Sequence, residues 1–140
     1  MSFEGVKKGE DPKRTVAWIQ FGSPLTCPAF PLVLSTGYLP PYIYTPRQSS
    51  ELHVKAMAIR DKYIYDRDVK DKFGYFNVAA AKELAGVAAR TDAFIKEDFN
   101  KLYTGWISGT TSNKAFESAY IAAMERYYQQ YLADFAKYTE

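Results

Sequence analysis

The pattern of apolar and polar positions separates an uncharged, proline-interrupted segment from a series of helix-like periods. Residues 15–46 contain no Lys, Arg, Asp or Glu and hold six of the seven prolines. An interior proline removes a backbone donor and clashes with the preceding turn, so this segment cannot form a continuous helix. Proline is also poorly placed in a central strand. The pattern predicts an extended, partly polyproline-like arm that needs an apolar surface to lie against.

Three apolar pieces lie between the Pro and Gly breaks of this arm, at residues 16–21, 30–34 and 38–44. They could pair as edge strands, but the alternation of the first piece is imperfect. Irregular extended chain is therefore the favoured interpretation. Residues 1–14 mix both signs of charge with two glycines and a proline, which predicts a mobile polar lead.

Helical periodicity begins abruptly after Pro46. Ser49 or Ser50 can cap the first helix. Apolar residues then recur at helical spacing at Leu52, Ala56, Ile59 and Tyr63. The helix is predicted to run from about residue 50 to about residue 70, with fraying through 66–72 and an end at Gly74.

The second helix is predicted to begin after a capping Asn77. Its expected inner face is formed by Ala80, Leu84, Val87, Phe94, Leu102 and Trp106, with Ile95 and Phe99 beside it. Gly86 lies on the side of the charged residues, so we expect a solvent-facing glycine that costs about 1 kcal/mol relative to alanine. A kink of the helix at Gly86 is the alternative. Gly105 and Gly109 bracket the predicted end.

The third helix is predicted from about Ser112 to Tyr138 and carries a tyrosine-rich stripe. The stripe contains Phe116, Tyr120, Ile121, Met124, Tyr127, Tyr128, Tyr131, Leu132, Phe135 and Tyr138. It covers roughly 180° of the helix, whereas about 100° suffices for packing on one core. We therefore expect this helix to touch more than one neighbour. Glu117 and Asp134 are exceptions within the apolar half.

These elements predict a mainly α fold, namely a three-helix up-down-up bundle preceded by a long, extended, Pro-rich N-terminal arm. The expected division is an arm at residues 1–48 and a helical bundle domain at residues 49–140. A chain of 140 residues is long enough for one real core.

Composition and charge narrow the function classes. Aromatic residues make up 16% of the chain, including 12 Tyr, and tyrosine is favoured where a surface is buried but not dry. A net charge of +2 with interspersed signs does not favour nucleic acid as a partner. The apolar runs predict no transmembrane span, although peripheral contact with a membrane complex is allowed. Residues 1–14 do not resemble a targeting peptide.

Candidate catalytic chemistry is sparse. His53 is the single histidine and has no partner at metal-ligand spacing, so a surface or half-buried side chain is the favoured interpretation. Cys27 is the single cysteine, which fits a reducing compartment such as the cytoplasm or an organelle interior. We interpret it as a small buried hydrophobe rather than a nucleophile or a chromophore anchor. No metal site and no cofactor is predicted.

Three interpretations of the tyrosine stripe remain open at this stage. It can be a tyrosine-rich core, a protein–protein interface, or a pocket for a planar small molecule. A platform for nucleic-acid bases would pair aromatic rings with a basic groove. Arg126 and Lys137 lie on the opposite side of the helix, which argues against that platform.

The favoured functional hypothesis is a non-enzymatic structural or linker subunit that binds other protein subunits of a larger complex. The alternative is a small-molecule-binding helical protein whose aromatic cavity holds a lipid or a pigment. An uncharged arm of this length is hard to cover with so small a bundle, and exposed apolar patches mark interaction sites. The predicted interface residues are Trp18, Phe21, Phe30, Leu34, Tyr38, Leu39, Tyr42 and Tyr44 of the arm, with Tyr128, Tyr131 and Tyr138 of the third helix.

Overall fold

The protein is mainly helical, with a small three-stranded sheet at its N-terminal side. The computed structural model describes residues 1–66 and 75–140. The helices are α1 (Glu51–Ile59), α2 (Val78–Ile107), α3 (Asn113–Asp134) and α4 (Ala136–Thr139). The strands are β1 (Ser2–Glu4), β2 (Val16–Ile19), β3 (Phe30–Val33), β4 (Tyr65–Asp66) and β5 (Tyr75–Phe76).

The proline-rich segment contributes two strands rather than irregular chain throughout. β2 pairs antiparallel with both neighbours in the order β1-β2-β3, with Val16 opposite Val33 and Ile19 opposite Phe30. The expectation of irregular chain is therefore wrong for residues 16–19 and 30–33. β1 lies within the predicted polar lead and pairs with β2. The third apolar piece, at residues 38–44, forms no strand.

Burial on both faces explains why the strands were missed. All four residues of β2 and all four of β3 are buried. A strand covered on both faces has no reason to alternate, so a short continuous apolar run is its signature. Pro31 is tolerated because β3 pairs with β2 along one side only, and the missing donor can face the other side.

The first helix is shorter than its sequence pattern suggests. Ser50 caps α1, and its side chain accepts a hydrogen bond from the backbone N–H of His53 at 3.3 Å. The α-helix ends at Ile59 and continues as one wider π turn to Ile64, after which the chain is extended. The predicted helix is thus too long at its C-terminal end. The fraying predicted through residue 72 and the end at Gly74 fall in residues 67–74, outside the described part of the chain.

The next two helices form an antiparallel pair. Trp106 near the end of α2 donates its indole N–H to Asn113 at the start of α3, at 2.8 Å. Further back along α2, Asp98 contacts Tyr127 and Thr91 contacts Asp134. Residue numbers thus decrease along α2 as those of their contacts increase along α3, so the two helices run in opposite directions. The predicted cap of α2 is confirmed, because the Asn77 side chain accepts a hydrogen bond from the Ala80 amide. The Ser112 side chain caps α3 in the same way by accepting from the Ala115 amide.

The faces that these helices bury agree largely with the predicted stripes. The buried residues of α2 include Leu84, Val87, Ile95, Phe99 and Trp106, whereas Phe94 is 40% exposed. On α3 the buried side chains are mostly aromatic: Phe116, Tyr120, Tyr127, Tyr128 and Tyr131 with Met124. Gly86 is exposed, as predicted.

Candidate protein-interaction site

Most of the predicted interface residues lie in the chain's own core. Six of the eleven are buried: Trp18, Phe30, Tyr42, Tyr128, Tyr131 and Tyr138. Phe21 and Tyr38 are partly buried and pack against that core. Leu34, Leu39 and Tyr44 are exposed by 55%, 49% and 56%. In this conformation a partner can reach these three residues and the partly buried pair, but not the six core residues.

Tyrosine hydroxyl groups attach the N-terminal segment to α3. Tyr120 donates a hydrogen bond to the carbonyl of Pro31 at 3.0 Å, and Tyr131 donates to the carbonyl of Thr26 at 3.2 Å. In the opposite direction, Tyr42 of the segment donates to the carbonyl of Met124 at 2.6 Å. Each bond gives a buried tyrosine hydroxyl a backbone acceptor, so that the hydroxyl is not left unpaired inside the protein. The tyrosine stripe is therefore used to dock this chain's own segment.

The aromatic rings also fill the space between the segment and the helices. Tyr42 and Tyr128 are stacked with ring centroids 4.1 Å apart and planes 4° from parallel. Trp18 of β2 meets the ring of Phe99 edge-on at 5.4 Å. Offset and edge-on pairs of this kind add to the stabilisation that comes from burial alone.

The loop that carries Tyr44 is held at both ends. Tyr42 is buried, and its carbonyl accepts a hydrogen bond from the Leu52 amide of α1 at 3.0 Å. The amides of Ile43 and Tyr44 both donate to the carbonyl of Pro40, at 2.9 and 3.0 Å. Tyr44 is therefore presented outward from a fixed turn, two residues after a buried anchor.

A shallow open groove of about 520 Å³ lies beside this loop, and we call it the Tyr44 groove. Residues from three parts of the chain line it: Phe21, Ile43, Tyr44, Arg47, Gln48 and His53. Thr45, Ser49 and Ser50 also line it, and no Asp or Glu is among the described residues that line it. The groove therefore combines an apolar floor with a polar and cationic rim.

Arg47 has an unusual backbone conformation for its residue type. Its φ is +63°, and among the described residues it is the sole non-glycine residue with a positive φ. This left-handed region disfavours residues with a Cβ by about 1–2 kcal/mol. The side chain is exposed and makes no hydrogen bond or ion pair with any residue in the described ranges. A strained residue with an unused charge is a reason to suspect a binding role.

His53 lies on α1 at the edge of the groove. It is half-buried, as predicted, and meets the ring of Phe21 edge-on with centroids 6.3 Å apart. Among residues 1–66 and 75–140 there is no group of three His, Cys, Asp or Glu side chains arranged to hold a metal ion. His53 is thus an aromatic element of the groove wall.

Cys27 is fully buried, which confirms its interpretation as a small hydrophobe. Burial raises the pKa of its thiol to about 12. A nucleophilic cysteine needs the opposite shift, because the thiolate is the reactive form. The structure therefore gives Cys27 a packing role beneath the proline-rich loop.

Sequence reasoning found two members of the groove, Phe21 and Tyr44, but missed Arg47, Gln48 and His53. The missed residues lie where the uncharged segment ends and α1 begins, and exposed loops of this kind often carry binding residues. Arg47 is the first charge after 32 uncharged positions, counted from residue 15 to residue 46. This place at the end of the uncharged segment was the sequence signal that could have identified Arg47.

Comparison with known proteins gives no family assignment. No protein-family model matches the chain, and neither curated proteins nor solved structures include a match. Within the described residues, every helix is too short or too polar to cross a membrane. The functional argument therefore depends on the geometry of this chain.

Proposed function

We propose that this protein is a non-enzymatic structural or linker subunit that binds a partner protein through the exposed part of its N-terminal segment. The observation that carries the proposal is the outward placement of Tyr44 from a fixed turn beside an open groove. Single exposed apolar residues are common and need no explanation. An exposed aromatic ring on a held turn, next to a cavity and an arginine that has no partner among the described residues, is a more specific combination.

Preorganisation supports this role. Binding is weakened by the cost of ordering loops and side chains at an interface. Here the turn is already fixed by the Tyr42–Met124 hydrogen bond and by the Leu52 amide. Tyrosine also offers a large contact area with few rotatable bonds, which is why it is enriched among residues that dominate binding energy.

Leu34 and Leu39 extend the proposed surface along the same segment. Both are about half exposed, and they flank Tyr38, which packs edge-on against Tyr120 with centroids 6.4 Å apart. The buried residues of the predicted interface have a supporting role in this proposal. They hold the exposed residues in place from beneath.

The finer architecture belongs to the same proposal. We take α1, α2 and α3 as an up-down-up bundle, with residues 1–48 as the partner-binding part and residues 49–140 as the helical domain. Contacts between Tyr63 and Tyr138 and between Asp98 and Tyr127 support this helix order. In this proposal the arm is attached to the helices of its own chain, and one side of the arm stays exposed.

Site-specific photo-crosslinking tests the proposed function. A benzophenone amino acid is placed at position 44 or 39 of the full chain, and matched variants carry it at Ile107 or Ile121, which are exposed by 40% and 37% on the helices. We expect an adduct of one defined mass in extract of the native source at positions 44 and 39, suppressed by excess unlabelled protein. Adducts that form equally at Ile107 and Ile121, or none at positions 44 and 39, would contradict the proposal.

The small-molecule alternative has one specific observation in its favour. A groove of about 300 Å³ lies between Pro24 and Pro28 of the segment and Ala85, Ala88 and Ala89 of α2. This volume is at the lower end of the range of ligand pockets. Absorbance and native mass spectrometry of the purified protein test it, since a retained lipid or pigment adds mass.

A further inference from the structure

The Tyr44 groove has the chemistry of a site for an acidic, partly apolar peptide. Its floor is apolar, from the partly buried ring of Phe21 and the buried side chain of Ile43. Its rim carries a guanidinium, an imidazole and several groups that can donate hydrogen bonds to a peptide backbone. Within the part of the chain that the structure describes, no carboxylate lines it, so an anionic group entering the groove meets no like charge from these lining residues.

Arg47 is the charge that such a peptide would use. The neighbouring cations on α1 and the following turn are already paired: Lys55 with Glu51 at 3.5 Å, and Arg60 with Asp61 at 2.7 Å. Arg47 has no partner in the described part of the chain. A guanidinium is planar and matches a carboxylate through two parallel hydrogen bonds. This gives Arg47 a defined ligand chemistry rather than a general attraction to anions.

The backbone at Arg47 supports the same conclusion. A glycine or an asparagine would occupy the left-handed conformation at lower cost. The turn that carries Arg47 is fixed, because the Gln48 amide donates a hydrogen bond to the Thr45 carbonyl at 3.3 Å. The exposed guanidinium therefore projects from a defined backbone position at the rim of the groove.

We infer that the Tyr44 groove binds an extended acidic segment of a partner protein, with a carboxylate on Arg47 and an apolar side chain against Phe21 and Tyr44. The inference rests on the proposed function and names the chemistry of its partner. The carboxylate is that of an Asp or Glu side chain of the segment, and a peptide C-terminus is the alternative that the titration below distinguishes. A protein segment is favoured over nucleic acid, because nucleic-acid sites use a tract of cations and the groove has one unpaired arginine.

Nuclear magnetic resonance titration of the full, isotopically labelled chain tests this inference. The probes are an acetylated, amidated peptide of alternating Glu and Phe, its Lys-for-Glu counterpart, the same Glu peptide with a free carboxyl end, and an oligouridylate. We expect the acidic peptides to shift the amide signals of Gln48 and His53. Tighter binding of the peptide with the free carboxyl end than of the amidated Glu peptide would assign the carboxylate to a chain terminus. Equal affinity of these two peptides would assign it to a side chain.

Variants at Arg47 separate charge from backbone. Arg47→Asn keeps a residue tolerant of the left-handed conformation but removes the charge, and we expect affinity for the acidic peptide to fall about tenfold or more. Arg47→Glu should abolish binding, whereas Arg47→Lys should retain part of it. The matched control is Arg90→Glu, the same charge change on the exposed face of α2, and it should leave affinity within about twofold. Thermal unfolding of each variant verifies that the fold is kept.

Each outcome bears on the inference separately from the proposed function. Binding of the lysine peptide or the oligouridylate in preference to the acidic peptide would overturn it. Equal affinity of the wild type and Arg47→Glu would also overturn it. If adducts form at position 44 while the acidic peptides cause no shifts, the groove inference fails and the subunit role stands. If the acidic peptides bind as expected and no adduct forms, the groove chemistry stands and the subunit role fails.

Discussion

The hydroxyl of Tyr120 on α3 donates a hydrogen bond to the main-chain carbonyl of Pro31 on β3, at 3.0 Å. The same oxygen accepts a hydrogen bond from the amide of Val33 at 3.3 Å. One side chain thus occupies the place that another strand would take along the outer edge of β3. Exposed strand edges invite pairing with other chains, and this edge is closed by a helix.

Removing that hydroxyl should destabilise the protein. Tyr120→Phe leaves a buried N–H and a buried C=O without their partner, which typically costs about 1–3 kcal/mol. The control is Tyr44→Phe, because the exposed Tyr44 hydroxyl makes no hydrogen bond with any described residue. We expect this second change to be neutral or slightly stabilising. Urea unfolding followed by circular dichroism measures both, and equal losses of stability in the two variants would contradict the role of Tyr120.

Two glycine-to-alanine changes should act in opposite directions. Gly22 has a φ of +66°, and an added Cβ would lie 3.2 Å from the Ala56 Cβ and 3.3 Å from the Met57 Sδ. Gly22→Ala should therefore lower the free energy of unfolding by about 1–2 kcal/mol. At the solvent-facing Gly86 the nearest atom would be 3.9 Å away, so Gly86→Ala should raise it by about 0.5–1 kcal/mol. The urea midpoints of the two variants measure these changes. A stabilising Gly22→Ala would show that Gly22 packs less closely against α1 than described.

The thiol of Cys27 should be unreactive in the native protein. Its pKa is raised to about 12 by burial, so thiolate is scarce and access is blocked. We expect iodoacetamide to modify Cys27 only after unfolding in urea. Ser49→Cys, which introduces a thiol at an exposed position, is the positive control and should be modified rapidly. Fast native modification of Cys27, measured by mass spectrometry, would contradict the buried position.

Stability should fall at alkaline pH because buried tyrosines resist ionisation. Burial raises the pKa of Tyr120 from 10.0 to about 12 and, with neighbouring groups, raises those of Tyr42, Tyr127 and Tyr131. The unfolded chain releases these protons first, so this stabilisation is complete below pH 10 and is lost as the pH rises towards the folded-state values. Each such tyrosine contributes a slope of about 1.4 kcal/mol per pH unit.

Urea unfolding at a series of pH values from neutral to strongly alkaline measures this dependence. Tyr120→Phe should flatten the curve relative to wild type, because one of the shifted groups is gone. Tyrosinate absorbance from the buried Tyr42, Tyr120, Tyr127 and Tyr131 should appear together with the loss of structure. Ionisation of these four tyrosines in a protein that keeps its near-ultraviolet circular dichroism would contradict the burial that we describe.

The helices were the most predictable part of the fold. Asn77 and Ser112 stand at the starts of α2 and α3, where short polar side chains satisfy free backbone amides. The end of α1 was predicted too late. A run of β-branched and aromatic residues, Tyr63–Ile64–Tyr65, lowers helix propensity there. The helix, which widens from Arg60 onward, ends within this run at Ile64.

The strands and the interface were harder to predict for one physical reason. Apolar character indicates that a residue such as Trp18 or Tyr131 needs burial, but it does not identify what will cover it. β2 and β3 are covered by the chain's own sheet and helices, so the expected exposed arm is largely internal. Tyr44 and Arg47 acquire their placement from a turn whose geometry depends on the distant Met124 carbonyl, which no local pattern reveals.

The attachment of the N-terminal segment to α3 also has a consequence for synthesis on the ribosome. Tyr131 contacts Thr26 across 105 residues, and Tyr120 contacts Pro31 across 89. Translation proceeds from the N-terminus, so the strands emerge well before the last long helix that covers them. Contacts between such distant positions slow folding and prolong the exposure of apolar chain. The nascent polypeptide must keep this apolar segment from aggregating until α3 has been synthesised.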